Sequence, residues 1–365
     1  MTKRERLLAL LKGQKPDILP WYGDLAYWFT YLNRTGRMPE KYHTEDGIYR
    51  LQADLGVGFH LQGFYPFTTH YEGVDVKTDI TNDITTTVYS TPAGTLTERW
   101  RYIPETFSKA PAEHLVKDID DLAALRYLYE HTYYLPDNTK IAKHREYVGD
   151  NGITVCYSPR TPFMELVVLK AGINALTFCI ADDPEEFEAT LDVIGKNFNK
   201  AFDITIATDC DCIMVPENLS SEMVGKEYYR RYMESYHQDW SQKIKDKGKY
   251  SMVHMDGTLK GLLNEVSHSG FDILEALTPA PVGDIPLEDF ASYAPDNVIL
   301  WGGLPGAFFS DDVSDGDFDK FTIEAIKYMS KNPRFVLGVA DQVPPHTSFE
   351  RIQRVNKLVE EYGAY

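Results

Sequence analysis

The sequence predicts an α/β fold, a single (β/α)8 barrel that carries an N-terminal β-hairpin insertion. Three observations favour it: eight short apolar segments, helical segments between the later ones, and no glycine-rich phosphate turn after the two early segments. The third observation disfavours the alternative, a doubly wound open sheet. Because α/β barrels of this length are often one unit, we assign residues 1–365 to a single domain.

The predicted strands are short runs of apolar residues, as expected for strands buried on both faces of a parallel sheet. Helices that connect successive strands imply that the strands run parallel. Eight such strands in a chain of this length predict a closed barrel. The predicted strands are residues 18–22, 57–61, 152–157, 211–215, 250–254, 271–275, 298–302 and 334–339.

Several helix ends carry capping signals. Thr2 and Glu5 form a candidate capping box for the first helix, which Gly13 and Pro16 would end. A proline in the first helical turn marks another start, at Asp183-Pro184. The sequence further predicts helices over residues 221–247, 258–267 and 348–362, the last two closed by Gly270 and Gly363.

Residues 71–105 have a different pattern. They alternate polar and apolar residues, are rich in Thr, Val and Tyr, and contain a Pro-Ala-Gly turn at 92–94. This pattern is typical of an antiparallel hairpin with one solvated face. We therefore predict that the hairpin is an insertion in the barrel.

Composition restricts the class of protein. The chain has 55 acidic and 37 basic residues and a net charge of −18, which disfavours nucleic acids and anionic membranes as partners. Its four cysteines are too few for a disulfide framework, and the sequence lacks a signal peptide and any apolar run of membrane-spanning length. These features predict a cytoplasmic enzyme.

In a parallel barrel, working residues lie at the carboxyl ends of the strands. His254 and Asp256 stand two residues apart after an apolar run, so both side chains can face one side and hold a divalent metal. The alternative is that Asp256 caps the next helix. Glu217 is a third candidate, as a metal ligand, a general acid or a solvent-facing loop carboxylate. Asp341 follows the last strand and can be a ligand or a turn residue.

Other motifs point away from familiar chemistries. Cys210-Asp211-Cys212 lies at the start of its strand, which favours buried small residues over a metal site. The sequence has no Gly-x-Ser-x-Gly, Walker loop or His-Glu-x-x-His, which disfavours a serine hydrolase or a P-loop enzyme. Aromatic residues follow the first two strands near Asp24 and His60, where they can pack in the core or form the wall of a substrate pocket.

The whole chain resembles the uroporphyrinogen decarboxylase superfamily, which includes the decarboxylase and corrinoid-dependent methyltransferases. Several segments carry the resemblance in order: RERLLALLKGQKPDILPW, TPAGTL, HMDGTLKGLL, GFDILEAL, NVILWGGLP and GVADQVPPHTSFERI. The resemblance implies a (β/α)8 barrel. Arg34 and Arg37 faintly resemble the decarboxylase's arginine-rich segment, but the segment LQGFYPFTTH lacks the aspartate that the decarboxylase has there. This departure disfavours tetrapyrrole decarboxylation.

The resemblance also implies a metal site. Thiol-methylating relatives bind zinc with a His-x-Cys-Gly motif and a later cysteine, and here Asp256 and Asp341 stand at those two positions while His254 remains. Carboxylate ligands leave zinc a harder, more electrophilic ion that suits an oxygen atom. We therefore expect one Zn²⁺ held by Glu217, His254, Asp256 and Asp341.

By the same resemblance, the expected reaction is transfer of a methyl group from a methyl ether, a methoxylated aromatic compound, to the Co(I) corrinoid of a separate partner protein. Catalytic roles are expected for Glu217, Asp24 and His60, and substrate contacts for Tyr22, Trp28, Phe64, Arg160 and Glu275. The alternatives are a thiol- or amine-linked methyltransferase, uroporphyrinogen decarboxylase, or a metal-free binding subunit. The resemblance also suggests a homodimer.

Overall fold

The computed structural model of the chain describes residues 1–60 and 64–365. The described residues form fifteen strands, most of them short. In chain order they are β1 (Trp21–Tyr22), β2 (Phe59–His60), β3 (Phe67–Tyr71), β4 (Asp75–Thr81), β5 (Ile84–Thr91), β6 (Gly94–Ile103), β7 (Ser108–Glu113), β8 (Thr132–Pro136), β9 (Gly152–Ile153), β10 (Val155–Tyr157), β11 (Cys212–Leu219), β12 (Tyr250–Met255), β13 (Ile273–Leu277), β14 (Ile299–Pro305) and β15 (Phe335–Ala340).

α-Helices connect most strands of the ring. They are α1 (Lys3–Leu11), α2 (Ala26–Arg34), α3 (Gly47–Asp54), α4 (Leu122–Glu130), α5 (Thr139–Val148), α6 (Pro162–Glu165), α7 (Gly172–Asp182), α8 (Pro184–Ala207), α9 (Lys226–Tyr232), α10 (Glu234–Asp246), α11 (Leu263–Ser267), α12 (Asp315–Met329) and α13 (Phe349–Tyr362). A π-helical turn, Leu166–Lys170, extends α6.

The central feature is a curled parallel sheet in the order β1-β15-β14-β13-β12-β11-β10. Beyond its two ends, β2 pairs in parallel with β9, which only Thr154 separates from β10. A parallel bridge between Tyr22 and Gly58 then links β1 to the start of β2. These pairings connect the eight predicted barrel strands in a ring, which is the arrangement of a TIM barrel.

The strand predictions agree with the structure to within a few residues. Each of the eight predicted segments contains or overlaps a strand of the ring, although the first two contribute only two residues each, in β1 and β2. The end of the second segment, Leu61, lies outside the described residues. Strands β11 to β15 are buried almost throughout, as expected where helices cover one face of a sheet and the barrel interior the other.

Residues 75–113 form a four-stranded antiparallel sheet in the order β4-β5-β6-β7, rather than one hairpin. The turn predicted at 92–94 connects β5 and β6, and Thr91 pairs with Gly94. A second antiparallel pair, β3 with β8, joins segments on either side of this sheet. All seven residues of β4, at its edge, are exposed. That this region is an insertion and that the chain forms one domain remain predictions.

Capping explains several helix boundaries. The Thr2–Glu5 capping box is present, and the Asp183 side chain caps α8 by accepting a hydrogen bond from the Glu186 amide. Ser348 caps α13 in the same way. The prediction of one continuous helix over residues 221–247 was wrong, because the segment forms two helices, α9 and α10, separated at Met233. The helix predicted from residue 258 begins only at Leu263, in α11.

No helix among residues 1–60 and 64–365 combines the length and apolar character that crossing a membrane requires.

Ring closure at β2 and β9 gives a test of the fold. A Cβ atom added to Gly152 would lie 1.6 Å from the Phe59 carbonyl oxygen, so the two strands could not keep their pairing. We expect Gly152→Ala to lower the free energy of unfolding by about 3 kcal/mol, measured by urea denaturation. Gly316→Ala, at an exposed position in α12 with no contact closer than 3.9 Å, is the control and should be neutral or stabilising. Equal stability of both variants would contradict this description of the closure.

Candidate active site

One buried carboxylate joins two histidines at the carboxyl end of the barrel. Glu275 of β13 lies beside His254 of the neighbouring strand, with which it is in register. Its Oε2 accepts a 2.6 Å hydrogen bond from His254 Nδ1, and its Oε1 lies 3.4 Å from His60 Nε2. The Trp301 ring packs against the His60 ring at 4.7 Å. Three strands and one aromatic ring thus fix the imidazoles around Glu275.

Burial and charge act in opposite directions on this cluster. Burial favours neutral Glu275, but the charge and hydrogen bond of His254, together with His60, lower the pKa of Glu275 to about 2. Burial likewise favours neutral His254, but the negative charges of Glu275, Asp256 and Asp341 raise the pKa of His254 to about 9. Without a metal ion on His254, the cluster at neutral pH therefore holds an ionised Glu275 and a protonated His254.

Asp256 and Asp341 lie on the solvent side of this cluster. The Asp256 Oδ2 is 4.0 Å from His254 Nε2. The alternative role of Asp256 as a helix cap does not hold, because the amides of Leu259 and Lys260 donate to Asp284 instead. Burial raises the pKa of Asp341, the charge of His254 opposes this rise, and Asp256 and Glu275 add to it. The negative charges of Asp256 and Asp341 therefore favour the protonated form of His254.

Asp24 is a second buried carboxyl group, after β1. Its Oδ1 accepts a hydrogen bond from the Ala26 amide at 2.8 Å, while its Oδ2 is buried and has no hydrogen-bond partner among residues 1–60 and 64–365. Burial raises the pKa of Asp24 to about 6; the Ala26 amide and His60 oppose this rise, and Asp341 and Glu275 add to it. A carboxyl group with a pKa near 6 and an uncommitted oxygen can give or accept a proton.

A cavity of about 470 Å³ opens onto Asp24 and His60, which is large enough for a small organic molecule. Aromatic rings form much of its wall: Tyr49 lies 4.4 Å from Phe59 and 5.2 Å from Tyr147, between ring centroids. Residues of α5 complete the wall, together with Glu45, which pairs with Lys143 of α5. We call this space the Asp24 cavity.

Glu217 has its own set of buried partners. His237 of α10 is bound to Glu217 Oε1 at 2.9 Å through its Nε2, and the Thr161 amide donates to both carboxylate oxygens. Neither Glu217 nor His237 is exposed to solvent, and His237 Nδ1 lies 3.2 Å from the Tyr229 hydroxyl. These contacts hold the Glu217 carboxylate against α10 and the start of α6, so it is not a solvent-facing loop residue. Its backbone lies in the bulge of β11 opposite His254, but its carboxylate oxygens are engaged by His237 and Thr161.

The backbone is left-handed at three strand ends that carry site carboxylates. Asn218 follows Glu217, Ala276 follows Glu275, and Asp341 itself follows β15; their φ angles are 53°, 67° and 67°. Alanine and aspartate adopt this conformation at a cost of about 1 kcal/mol or more. The strand pairing also shifts register between Leu274 and Leu277. Strained backbone and a shifted register turn the side chains at the end of β13 relative to its neighbours.

The residues expected to contact the substrate lie in different parts of the structure. Tyr22 lies in the barrel core, with its hydroxyl bound to the Lys3 carbonyl oxygen at 2.6 Å. Trp28 is also buried and donates to the Thr347 carbonyl oxygen at 2.8 Å. Phe64 stacks on His144, which lines the Asp24 cavity, with ring centroids 4.8 Å apart. Of these three aromatic residues, Phe64 adjoins the cavity, and Tyr22 and Trp28 serve packing.

Arg160 lines a different cavity of about 250 Å³ beneath β3, β5 and β8. Its Nη2 contacts Asn218 Oδ1 at 3.4 Å, and its Nε is buried with no partner in the described parts of the chain. Tyrosines 65, 71, 89, 129 and 134 contribute to the same wall. We call this space the tyrosine cavity. The structure therefore separates Arg160 from Asp24 and His60.

The expected zinc ligands do not form a ready-made metal group. Within residues 1–60 and 64–365, no three His, Cys, Asp or Glu side chains are arranged to hold a metal ion. His254 and Asp256 approach each other to 4.0 Å, while Glu217 is engaged by His237 and Thr161. Thus the donor set of His254, Asp256 and Asp341 would need to move closer to bind an ion.

Sequence analysis missed several residues of the Asp24 cavity. Tyr49 of α3 and the residues of α5 that line it come from helices, whereas the other candidate residues lie at strand ends. His237 was also missed, as part of a helix with no evident motif. An available signal was Phe59, next to His60 in a predicted strand.

A barrel with a buried cluster of ionisable groups at the carboxyl ends of its strands defines the chain as an enzyme of the α/β-barrel class. A family model described as uroporphyrinogen decarboxylase (URO-D) matches residues 105–362, more than half of the chain. The chain belongs to this family, which confirms the resemblance inferred from the sequence.

Solved structures support the fold. A methyltransferase from Methanosarcina mazei is similar to this chain with a TM-score of 0.60 and 14% identity, and the match covers 99% of both chains. The GH18 chitinase ChiB from the chitin utilization locus of Flavobacterium johnsoniae matches with a TM-score of 0.36 and 12% identity, over 67% of this chain and 84% of the other; this likeness is too weak to support any inference. No curated protein matches the sequence.

The Glu275 cluster yields a stability prediction. Because the pKa of Glu275 is lower in the folded chain, about 2, than its ordinary value of 4.5, ionised Glu275 stabilises the fold above pH 4.5, and this contribution is lost as pH falls toward 2. Glu275→Gln should lower the free energy of unfolding by about 3 kcal/mol at pH 7, and by progressively less below pH 4.5. Denaturation across this pH range measures the difference.

Glu222→Gln, at an exposed position, removes the same charge and serves as the control. It should change stability by less than about 0.5 kcal/mol. If Glu275→Gln behaves like this control at neutral pH, Glu275 does not hold the two histidines as described.

Proposed function

We propose that the chain is a methyltransferase that moves a methyl group from a methyl ether, in a methoxylated aromatic compound, to the Co(I) corrinoid of a partner protein. The observation that carries the proposal is the Asp24 cavity, where aromatic walls meet a buried carboxyl group with an uncommitted oxygen. Membership of the URO-D family and the fold shared with a methyltransferase support methyl transfer as the reaction type.

Within this proposal, the cavity holds the methoxylated ring against Tyr49 and Phe59. The ether carbon is a poor electrophile because its oxygen is a poor leaving group unless it is protonated. Asp24, with a pKa of about 6, supplies that proton through the oxygen that has no partner among the described residues. The corrinoid supplies the nucleophile when its protein is bound.

One bond breaks and one forms in the transfer. The methyl carbon–oxygen bond breaks, the carbon is transferred to cobalt, and the oxygen keeps the bonding electron pair. The oxygen takes the proton from Asp24 and leaves as a phenol, and Asp24 regains a proton from solvent. His60, which Glu275 and Trp301 hold at the cavity wall, orients the leaving oxygen.

The function is tested by mixing purified protein with a reduced corrinoid protein and a panel of methyl ethers, methyl thiols and methylamines. We expect a methyl-cobalt absorbance signal with methoxylated aromatics, and kcat/KM should fall as pH rises through about 6, because Asp24 must be protonated. Methyl transfer only from a thiol or an amine would contradict the proposed ether substrate and indicate a thiol- or amine-linked methyltransferase. Decarboxylation of a porphyrinogen, without methyl transfer, would reject the proposal.

Asp24→Asn should lower kcat/KM by at least about 100-fold and abolish the inflection near pH 6. Its fold should persist: because folding raises the pKa of Asp24 from 3.8 to about 6, ionised Asp24 destabilises the native state above pH 6. The variant should therefore be more stable at pH 8, by about 1–3 kcal/mol, with no difference below pH 3.8. Full activity of a folded Asp24→Asn protein would remove Asp24 from the mechanism.

Zinc remains a separate proposal, with His254, Asp256 and Asp341 as ligands. Purified protein should contain about one zinc ion per chain, and His254→Ala and Asp341→Ala should each lose most of it, measured by elemental analysis. Glu217→Gln, whose carboxylate is engaged by His237 and Thr161, should keep its metal. Absence of metal from the native protein, or unchanged metal content in both His254 and Asp341 variants, would exclude this site.

A further inference from the structure

The outer wall of the Asp24 cavity has a feature that proton delivery to an ether does not require. Helix α5 contributes two lysines and a histidine to this wall, Lys140, Lys143 and His144, in a protein of net charge −18. The inner end of the cavity, in contrast, carries Asp24 and His60. The cavity therefore combines a proton-donating end with a cationic wall.

The two lysines differ in their pairing. Lys143 Nζ binds Glu45 Oε1 at 2.5 Å, so the charges of this pair offset each other at the cavity surface. Lys140 has no carboxylate oxygen within 4.0 Å of its Nζ among residues 1–60 and 64–365. The nearby Asp137 accepts hydrogen bonds from Thr139; these bonds, and after them the charge of Lys140, lower the pKa of Asp137, so an ionised carboxylate lies near Lys140 without forming an ion pair with it. Lys140 is consequently the lysine in this wall whose charge is available to a ligand.

His144 does not supply a competing charge. Burial, followed by the charge of Lys140, lowers the pKa of His144, so the imidazole is neutral at pH 7. Its Nδ1 is bonded to the Tyr49 hydroxyl, and its ring stacks on Phe64. His144 thus belongs to the aromatic wall, and Lys140 is the cation of this wall that has no ion pair among the described residues.

From this arrangement we propose that Lys140 selects methyl donors whose aromatic ring carries an anionic substituent, a carboxylate. The inference rests on the proposed function and deepens it by naming the class of substrate. With the ether oxygen at Asp24, a ring between the aromatic walls extends its far substituents toward α5. A carboxylate there gains a charge-assisted hydrogen bond from Lys140, and a neutral substituent does not.

The test compares 4-methoxybenzoate with 4-methoxybenzamide, a neutral compound of nearly the same shape. Lys140→Met should raise the KM for 4-methoxybenzoate about tenfold, with little change in kcat, and leave both constants for 4-methoxybenzamide unchanged. Lys140→Arg should restore most of the lost affinity. Because Lys140 is exposed, high salt should reduce the preference of the native protein for the carboxylate.

Lys320→Met is the matched control, because it removes the same charge from an exposed position on α12. It should leave the KM for both compounds unchanged. An equal effect of Lys140→Met on both compounds would show a role in shape alone, and no effect on either would remove Lys140 from recognition; each result overturns the inference.

Calorimetric binding of the same two compounds, without a corrinoid protein, separates this inference from the proposed function. Lys140-dependent binding of 4-methoxybenzoate without methyl transfer would reject the function and keep the anion site. Methyl transfer from methoxylated aromatics with no dependence on Lys140 would keep the function and reject the anion site. Failure of the native protein to bind 4-methoxybenzoate would also reject the anion site.

Discussion

The candidate site depends on one interaction, the Glu275 carboxylate held between His254 and His60. An ionised carboxylate this deeply buried is costly unless it is fully compensated, because its hydration is lost. The compensation comes from two other barrel strands: His254 is in register with Glu275, and His60 approaches from β2 across the barrel. The lengths and registers of these strands are therefore constrained by where Glu275 must lie.

The same interaction separates the protonation states of two carboxyl groups. Glu275, with histidines on both sides, stays ionised well below neutral pH, whereas Asp24, with one committed oxygen, has a pKa of about 6. Two carboxyl groups in contrasting environments often divide the roles of fixed charge and proton donor. In this structure Glu275 positions the imidazoles and Asp24 faces the cavity, so the division follows from the contacts of each group.

Much of the fold could be predicted from the sequence, because buried parallel strands appear as short apolar runs that do not depend on distant partners. The candidate residues Asp24, His60, His254, Asp256, Glu275 and Asp341 were also within reach, since all follow or end such runs. The role of Glu275 as the shared partner of His254 and His60 could not be predicted, because it depends on the register between β12 and β13. Glu217 was grouped with His254 because sequence shows strand position but not the partners of a side chain, and the Glu217 carboxylate is engaged by His237 and Thr161.

The helices of the site were harder to predict. Tyr49 and Lys140 face the cavity because of how α3 and α5 pack against the barrel, and neither has a motif that marks it.

The most direct measurement of where the substrate binds is a crystal structure with a bound methoxylated aromatic compound. The ether oxygen should lie within hydrogen-bond distance of Asp24, with the ring between Tyr49 and Phe59. A ligand bound only in the tyrosine cavity beside Arg160, with the Asp24 cavity empty, would contradict this description of the site.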